Sequence, residues 1–476
     1  MNTMTVNPDA SSLPEAAAAR VEFPCMDGAR AIAALIVVLN HEGTFATLIN
    51  VDWAPSNLRL FLIPLGRIGI AAFFVISGFL LYRPFVLAHF SSTKPPKYGA
   101  FWLRRLGRIL PGYWVALLGA MALGTAHFAN ANLGDYALTF GLGQNYRFRG
   151  ILDLGIGVAW TLVIELSFYL VLPLIAWFIR KAGAMAGLSA LRAQIVWLST
   201  IAAASIVVKV FWLLFLDGEP QYFRRWFPLS ELGRWLPSFM DWFALGMLVA
   251  VCSVWRELGG TIPKIISAFA QRAWSCWALS AVFLLALTRS GLTVEIWAQN
   301  SPVTGFLYDE LSLIAGFFLV FPALLPGERT GWVRRLLATR VFVFLGTVSF
   351  GIFLWNDIIG EYLLVHRPFP TLFGHIASYI LLITVLSVVI AYFSLILIER
   401  PARNLVQRIV GSSRSLSDSR LLPHWRIGLS HSQKELVDWV DPSNISVRSG
   451  QAVVWGGIVI SAVFALLLPT LRGFLS

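Results

Sequence analysis

The sequence predicts an all-α polytopic transmembrane helix bundle, and three observations lead to this fold class. Hydrophobic residues make up 57% of the 476-residue chain, whereas charged residues make up only 13%. Apolar windows of about 20 residues, each long enough to cross a hydrocarbon core of about 30 Å, recur along nearly the whole chain. Lysine and arginine cluster at alternate ends of these windows, which is the charge pattern of membrane loops that face the cytoplasm.

Eleven membrane spans are predicted, with boundary errors of about four residues. Ten follow one another with short connections, and the eleventh comes after a long polar stretch. In chain order the spans lie near 30–50, 67–90, 106–126, 155–179, 194–216, 236–255, 273–292, 305–326, 341–362, 374–398 and 451–472. This number of apolar segments leaves no room for a soluble catalytic domain, so any chemistry is expected inside the bundle.

Four regions and an orientation follow from the basic connections. Residues 1–24 are predicted to be a polar cytoplasmic N-terminal segment, and residues 25–404 a membrane domain of ten helices. Residues 405–450 are predicted to be a polar cytoplasmic linker, and residues 451–476 an eleventh transmembrane helix with a short outer tail. We therefore expect a multi-pass protein of the cell inner membrane, with its N-terminus in the cytoplasm and its C-terminus outside.

Two classes of partner are not expected from the composition. The net charge of +12 is spread over alternate helix ends, so it reports topology in the lipid bilayer and does not indicate nucleic-acid binding. Cys25, Cys252 and Cys276 lie at or within apolar segments without CxxC spacing, so no metal site is predicted.

The first span carries an arginine and a histidine eleven positions apart, Arg30 and His41. Eleven helical steps rotate the chain by about 1100°, so both side chains share one face and lie about 16 Å apart along the axis. An ionisable imidazole at bilayer depth is costly to bury and indicates a functional site. The alternatives are a topology anchor for Arg30 and a structural hydrogen bond for His41.

The fourth span contains a lone carboxylate, Glu165, with Tyr169 one helical turn further on and Trp160 close to the same face. At this depth the carboxylate is expected to have a basic partner, either His41, whose imidazole it could orient, or an arginine. A buried structural ion pair is an equally good explanation of the spacing.

The second basic connection contains Arg104, Arg105 and Arg108 at the start of a helix. Arg105 and Arg108 are three residues apart, so their guanidinium groups can converge on one phosphate-bearing ligand. Topology anchoring is the alternative. Elsewhere, Ser77 and Gly78 permit close helix packing, and Asp357 is expected near the external mouth of the bundle.

Taken in order, these motifs resemble the acyltransferase 3 family of bacterial membrane O-acyltransferases. The resemblance covers about residues 24–404. The matching motifs are Asp27-Gly28-x-Arg30 with His41, Phe73-Phe74-x-x-Ser77-Gly78-Phe79, Arg105-x-x-Arg108-x-x-Pro111-x-Tyr113, Trp160 with Glu165, Tyr169 and Pro173, Ser349-Phe350 with Trp355, and Glu399-Arg400-Pro401. Each motif alone is weak, but the ordered set of six is specific.

The resemblance implies a ten-helix acyltransferase core, here with one additional C-terminal transmembrane helix. Family members move an acyl group from cytoplasmic acyl-CoA, usually acetyl-CoA, to a hydroxyl of an acceptor, often a cell-envelope glycan or glycolipid. Acyl-CoA is thus expected as a donor substrate, with no permanently bound cofactor. The family motifs imply catalytic roles for His41, Glu165 and Arg30. They imply CoA contacts for Arg105, Arg108 and Tyr113, and acceptor contacts for Trp160, Tyr169 and Ser77. We also expect Arg104 to contact CoA and Asp357 to contact the acceptor.

Two roles for His41 stay open under this resemblance. The imidazole could act as a general base on the acceptor hydroxyl, or it could carry the acyl group itself. Family members often have histidine after the tryptophan of the ninth-span motif, whereas here Trp355 is followed by Asn356. A proton-transfer role at that position is therefore in doubt.

Two other classes of function fit an eleven-helix bundle with central polar groups. A transporter or flippase for a glycan or lipid precursor is the main rival, although no inverted repeat is visible in the sequence. A non-catalytic membrane partner with the same fold is the other.

Overall fold

The computed structural model describes one helical unit. The residues described are 23, 25–48, 56–128, 131–146, 154–215, 232–289, 302–325, 331–366 and 376–411. From residue 25 onward they belong to one compact unit, Pro24–Ser413. The predicted N-terminal segment, most of the predicted linker and the predicted eleventh helix lie outside the described residues.

Fifteen α-helices make up the described part of the chain. They are α1 Met26–Leu48, α2 Ser56–Phe90, α3 Tyr98–Leu123, α4 Leu133–Phe140, α5 Trp160–Met185, α6 Ala190–Phe215, α7 Met240–Glu257, α8 Lys264–Gln271, α9 Ala273–Arg289, α10 Pro302–Leu324, α11 Gly331–Leu337, α12 Arg340–Thr347, α13 Ser349–His366, α14 Ile376–Ser394 and α15 Arg400–Gly411. A π-helical segment, Leu395–Glu399, joins α14 to α15.

The length and apolar character of these helices confirm the predicted all-α polytopic fold. Seven helical stretches are long and apolar enough to cross a membrane, and two bent helix pairs bring the number to nine within the described ranges. The bent pairs are α8 with α9, which meet at 96°, and α12 with α13, which meet at 68°. The helix α1 occupies the first predicted span.

The ninth predicted span, 341–362, is not one continuous helix. It breaks at Val348 between α12 and α13, where one contact with another helix and one contact within the segment accompany the break. Gly346 lies so close to α1 that a Cβ there would be 1.9 Å from the carbonyl oxygen of Asp27. The hydroxyl of Ser349 donates to the carbonyl of Gly346 at 2.8 Å and so caps the end of α12. In contrast, α2 is longer than predicted and begins at Ser56.

The centre of the bundle is the packing of α2 against α7, where two glycines allow the helix backbones to approach closely. A Cβ at Gly78 would lie 2.2 Å from the carbonyl oxygen of Phe243, and one at Gly246 would lie 2.1 Å from that of Val75. Beside them, the rings of Phe74 and Phe243 stack with centroids 4.5 Å apart. The packing role predicted for Gly78 is thus observed.

We expect Gly246→Ala to destabilise the protein, although alanine favours a helix over glycine by about 1 kcal/mol. The added methyl group would force α2 and α7 apart, and such overpacking costs about 1–3 kcal/mol. Thermal unfolding of the purified protein in detergent should show a melting temperature several degrees lower. Gly99→Ala is the matched control, because nothing lies within 4 Å of its Cβ position. Equal melting temperatures for both variants would contradict this packing.

Candidate active site

A cavity of about 310 Å³ lies between α1, α2, α3, α5 and α13. We call it the arginine cavity, because three arginines share its wall. Its polar lining residues are Arg30, Ser77, Arg105, Arg108, Thr161, Glu165, Tyr169 and Ser349. The end of the bundle that holds the three arginines is called the basic end below.

The three arginines come from the N-terminal halves of two helices. Arg30 stands on α1 and donates to Asp27 at 3.0 Å, whereas Arg105 and Arg108 stand three residues apart on α3. The Nε of Arg105 is buried without a hydrogen-bond partner among the described residues. An unsatisfied buried guanidinium donor is costly, so a site with three arginines and a spare donor fits an anionic ligand such as a phosphate group.

Two predicted CoA contacts do not line this cavity. Arg104 is exposed, because one helical step of about 100° turns it away from Arg105. Tyr113 lies beyond the arginines on α3, where it is completely buried and its hydroxyl donates to the carbonyl oxygen of Thr139 at 2.7 Å. The geometry therefore gives Arg104 a solvent-facing position and gives Tyr113 a role in holding α4.

Glu165 lies on the cavity wall with two neutral hydrogen-bond donors. Its carboxylate accepts from the hydroxyl of Ser77 at 2.8 Å and from the hydroxyl of Tyr169. The predicted shared face of Glu165 and Tyr169 on α5 is observed. The expected basic partner is not, since neither His41 nor an arginine is hydrogen-bonded to Glu165 among the described residues.

His41 is instead paired with Asn356, which lies 315 positions further along the chain. The Nδ1 atom of His41 is 2.6 Å from the Oδ1 atom of Asn356. Asn356 is fully buried on α13, and its amide nitrogen donates to the backbone carbonyls of Ile352 at 2.9 Å and Phe353 at 2.7 Å. The amide is therefore held in one orientation, with its oxygen toward the imidazole.

This orientation determines which imidazole nitrogen carries the proton. The amide nitrogen of Asn356 is directed at backbone carbonyls, so its oxygen faces the imidazole. An amide oxygen can only accept a hydrogen bond, so Nδ1 of His41 must be the donor. The neutral ring then has its lone pair on Nε2, which has no hydrogen-bond partner among the described residues. A histidine held in this tautomer is arranged to accept a proton at Nε2.

The arginine cavity runs from the basic end toward this pair. Phe353 and Thr161 belong to its lining, and Phe353 is also the residue whose carbonyl holds the amide of Asn356. Arg30 and His41 stand on one continuous helix, α1, and are about 16 Å apart along its axis. Because Arg30 lines the cavity, the imidazole lies no further than this distance from the cavity along α1. His41 itself is not part of the lining.

The remaining predicted acceptor residues, Trp160 and Asp357, lie on the side of the pair away from the basic end. The ring of Trp160 is 5.7 Å from the guanidinium of Arg67. The carboxylate of Asp357 accepts from the backbone N–H of Val158 at 3.4 Å. Both residues are therefore separate from the arginine cavity.

Sequence reasoning missed Asn356 and Arg67 as members of the site. Asn356 was visible only as a departure from a family motif, and its contact with His41 depends on the packing of α1 against α13. Arg67 lay at the start of a predicted span, where a basic residue indicates an ordinary helix end.

The fold and the site together define a multi-pass membrane protein with a basic cavity and, beyond it, a half-buried histidine paired with a buried asparagine. The chain belongs to the acyltransferase 3 family, whose profile, described as an acyltransferase domain, matches residues 23–398. The expectation from the sequence motifs is thereby confirmed at the level of the family.

Two relatives illustrate the similarity. One is named putative O-acetyltransferase, from Staphylococcus aureus strain COL, and is 24% identical over 418 residues, which cover 80% of this chain and 57% of the relative. Another is named putative peptidoglycan O-acetyltransferase YrhL, from Bacillus subtilis strain 168, and is 24% identical over 408 residues, covering 80% of this chain and 55% of the relative. The chain thus spans little more than half the length of these relatives. No solved structure is significantly similar to it.

We expect Asn356→Leu to change the protonation pattern of His41. Without the amide oxygen, Nδ1 loses its acceptor, and the proton can move to Nε2, the form that free neutral imidazole generally favours. Nitrogen-15 NMR of protein labelled at histidine should show the His41 signals shifting toward that tautomer. The seven histidines are separated by comparison with His41→Gln, which removes one set of signals. An unchanged His41 tautomer in Asn356→Leu would contradict the proposed orientation.

Proposed function

We propose that this protein is an O-acyltransferase that moves an acetyl group from cytoplasmic acetyl-CoA to a hydroxyl of a cell-envelope glycan or glycolipid. The observation that carries this proposal is a cavity lined by three arginines that extends toward a histidine held in a fixed tautomer. Membership of the acyltransferase family and the names of the relatives support the reaction class and a glycan acceptor.

In this proposal the protein lies in the inner membrane, and its basic end faces the cytoplasm. The phosphates of CoA bind Arg105 and Arg108, and Arg30 adds a third positive charge at the entrance. The acetyl-pantetheine arm extends through the arginine cavity between Phe353 and Thr161 toward His41. The hydrogen-bonded set of Ser77, Glu165 and Tyr169 forms a polar section of this path.

The reaction follows as a direct transfer. The oxygen of the acceptor hydroxyl attacks the thioester carbonyl carbon, and Nε2 of His41 takes the hydroxyl proton. A new C–O bond forms and the C–S bond breaks, so the electron pair leaves with the CoA sulfur. The imidazolium then returns its proton to the thiolate, which gives free CoA and the acetyl ester. Asn356 positions the ring and stabilises the charged imidazole through Nδ1–H.

Arg105→Ala and Arg108→Ala should each weaken acetyl-CoA binding by about tenfold or more, since a charge-assisted hydrogen bond contributes about 1.5–3 kcal/mol. The measurement is isothermal titration of acetyl-CoA into protein in nanodiscs. Arg104→Ala is the matched control, because it removes the same charge from the same helix at a position outside the cavity. Equal losses in all three variants would indicate general electrostatics and count against a specific phosphate site.

His41→Gln should lower acetyl transfer by about 100-fold or more, because general bases contribute about 10²–10⁴ in rate. Acetyl-CoA affinity should stay within a factor of two, since the histidine is not part of the cavity lining. Mass spectrometry of envelope glycans from cells that express each variant checks the product. Asn356→Leu should give an intermediate loss with the same donor affinity. Wild-type levels of acetylated product in His41→Gln would refute the assigned base.

A further inference from the structure

A second cavity, of about 250 Å³, lies on the far side of the His41–Asn356 pair from the basic end. We call it the tryptophan cavity, because two tryptophan rings form its walls. Its lining includes Arg67, Trp160, Lys209, Trp212, Arg234 and Asp309, from α2, α5, α6, α10 and the chain segment that precedes α7. None of these residues except Trp160 belongs to the predicted site.

Contacts on two sides place this cavity next to the catalytic pair. On one side, Asn40 precedes His41 and donates to the carbonyl of Ile63 at 2.7 Å, and a Cβ at Gly66 would lie 2.3 Å from its Oδ1. Gly66 directly precedes Arg67. On the other side, Asp357 follows Asn356 and contacts Val158, two residues before Trp160. The tryptophan cavity therefore lies at the depth of His41.

Three cations, Arg67, Lys209 and Arg234, line the cavity, and three carboxylates, Asp241, Asp309 and Glu310, lie in it or against it. Arg67 is paired with Asp309 at 2.7 Å, and Lys209 is paired with Asp241 at 2.9 Å and Glu310 at 2.5 Å. The side chains of Lys209 and Asp241 are only 2% and 4% exposed, so this pair is a fixed feature of the interior. The three cations and the three carboxylates balance, so Arg67 and Lys209 do not offer a free charge to a ligand. An anionic ligand would have to separate them from their carboxylates.

The walls suit a ring that has both an apolar face and hydroxyl groups. The rings of Trp160 and Trp212 offer flat apolar surfaces, and Trp212 is held by Gly233, where a Cβ would lie 2.5 Å from the indole. The carboxylate of Asp309 accepts one hydrogen bond from Arg67 and keeps lone pairs for further donors. Small-molecule sites combine aromatic walls with a few polar groups in this way.

We infer that the tryptophan cavity binds an uncharged pyranose ring of the acceptor glycan. Trp212 stacks on the C–H face of the sugar, and the Arg67–Asp309 pair exchanges hydrogen bonds with its hydroxyls. Trp160 and Thr161 are consecutive residues that line the tryptophan cavity and the arginine cavity, respectively. A sugar in one cavity and a thioester in the other would thus meet at the N-terminus of α5, beside His41. This assignment rests on the proposed function.

Saturation-transfer difference NMR tests the inference without a donor. The full chain in nanodiscs is mixed with triacetylchitotriose as a neutral probe, and separately with digalacturonic acid as an acidic one. The wild type should transfer saturation to the ring protons of the neutral probe, with a signal at least threefold stronger than for the acidic probe. Trp212→Ala should lower the neutral signal at least fivefold, and Trp212→Phe should keep most of it.

Trp197→Ala is the matched control, because Trp197 stands on the same helix and packs against Phe178, with ring centroids 5.0 Å apart. Its signal should equal that of the wild type. If Trp212→Ala is not monodisperse, Trp212→Leu fills the space without an aromatic ring and should show the same loss. The inference is overturned by undiminished transfer in Trp212→Ala or Trp212→Leu, by a preference for the acidic probe, or by no transfer to the neutral probe. Sugar binding that persists without acetyl transfer would count against the proposed function alone.

Discussion

Close backbone contacts of α1 with α11 and α12 fix the depth of α1 in the bundle, and the site depends on this constraint. A Cβ at Gly28 would lie 2.0 Å from the carbonyl oxygen of Leu337, and Gly346 makes the reciprocal approach to Asp27. Contacts between backbones leave no side chain that could adjust, so α1 cannot slide along its axis without a clash. Because Arg30 and His41 stand on this one helix, the same contacts position the entrance of the arginine cavity and the imidazole.

Polar side chains inside the bundle have neutral partners at the site and oppositely charged partners at the tryptophan cavity. At the site, Glu165 and His41 are satisfied by neutral partners, Ser77, Tyr169 and Asn356. A neutral partner holds a side chain in place through a hydrogen bond and adds no charge of its own beside it. At the tryptophan cavity, cations and carboxylates are paired directly, and such buried pairs are rigid because removing either partner leaves an unpaired buried charge.

Local spacing predicted the parts of the site that lie on single helices. The shared face of Arg30 and His41, that of Glu165 and Tyr169, and the packing role of Gly78 all follow from helical periodicity. The His41–Asn356 contact could not be predicted this way, because it joins residues of two helices through packing. The break at Val348 was hidden for a similar reason, since it accompanies the approach of Gly346 to another helix. Arg104 shows the limit of motif reasoning, because one helical step separates a cavity residue from an exposed one.

The separation of the arginines from His41 along α1 has an electrical consequence. In the proposed reaction the charged nucleotide of the donor stays at the basic end, and only an uncharged acetyl group passes to the far side. The proton leaves the acceptor hydroxyl and reaches the sulfur at the same depth in the membrane, which is the depth of the His41 imidazole. A membrane potential does work only on charge that crosses the field, at about 2.3 kcal/mol per charge and 100 mV. The transfer is then electrically silent and proceeds equally in energised and depolarised cells.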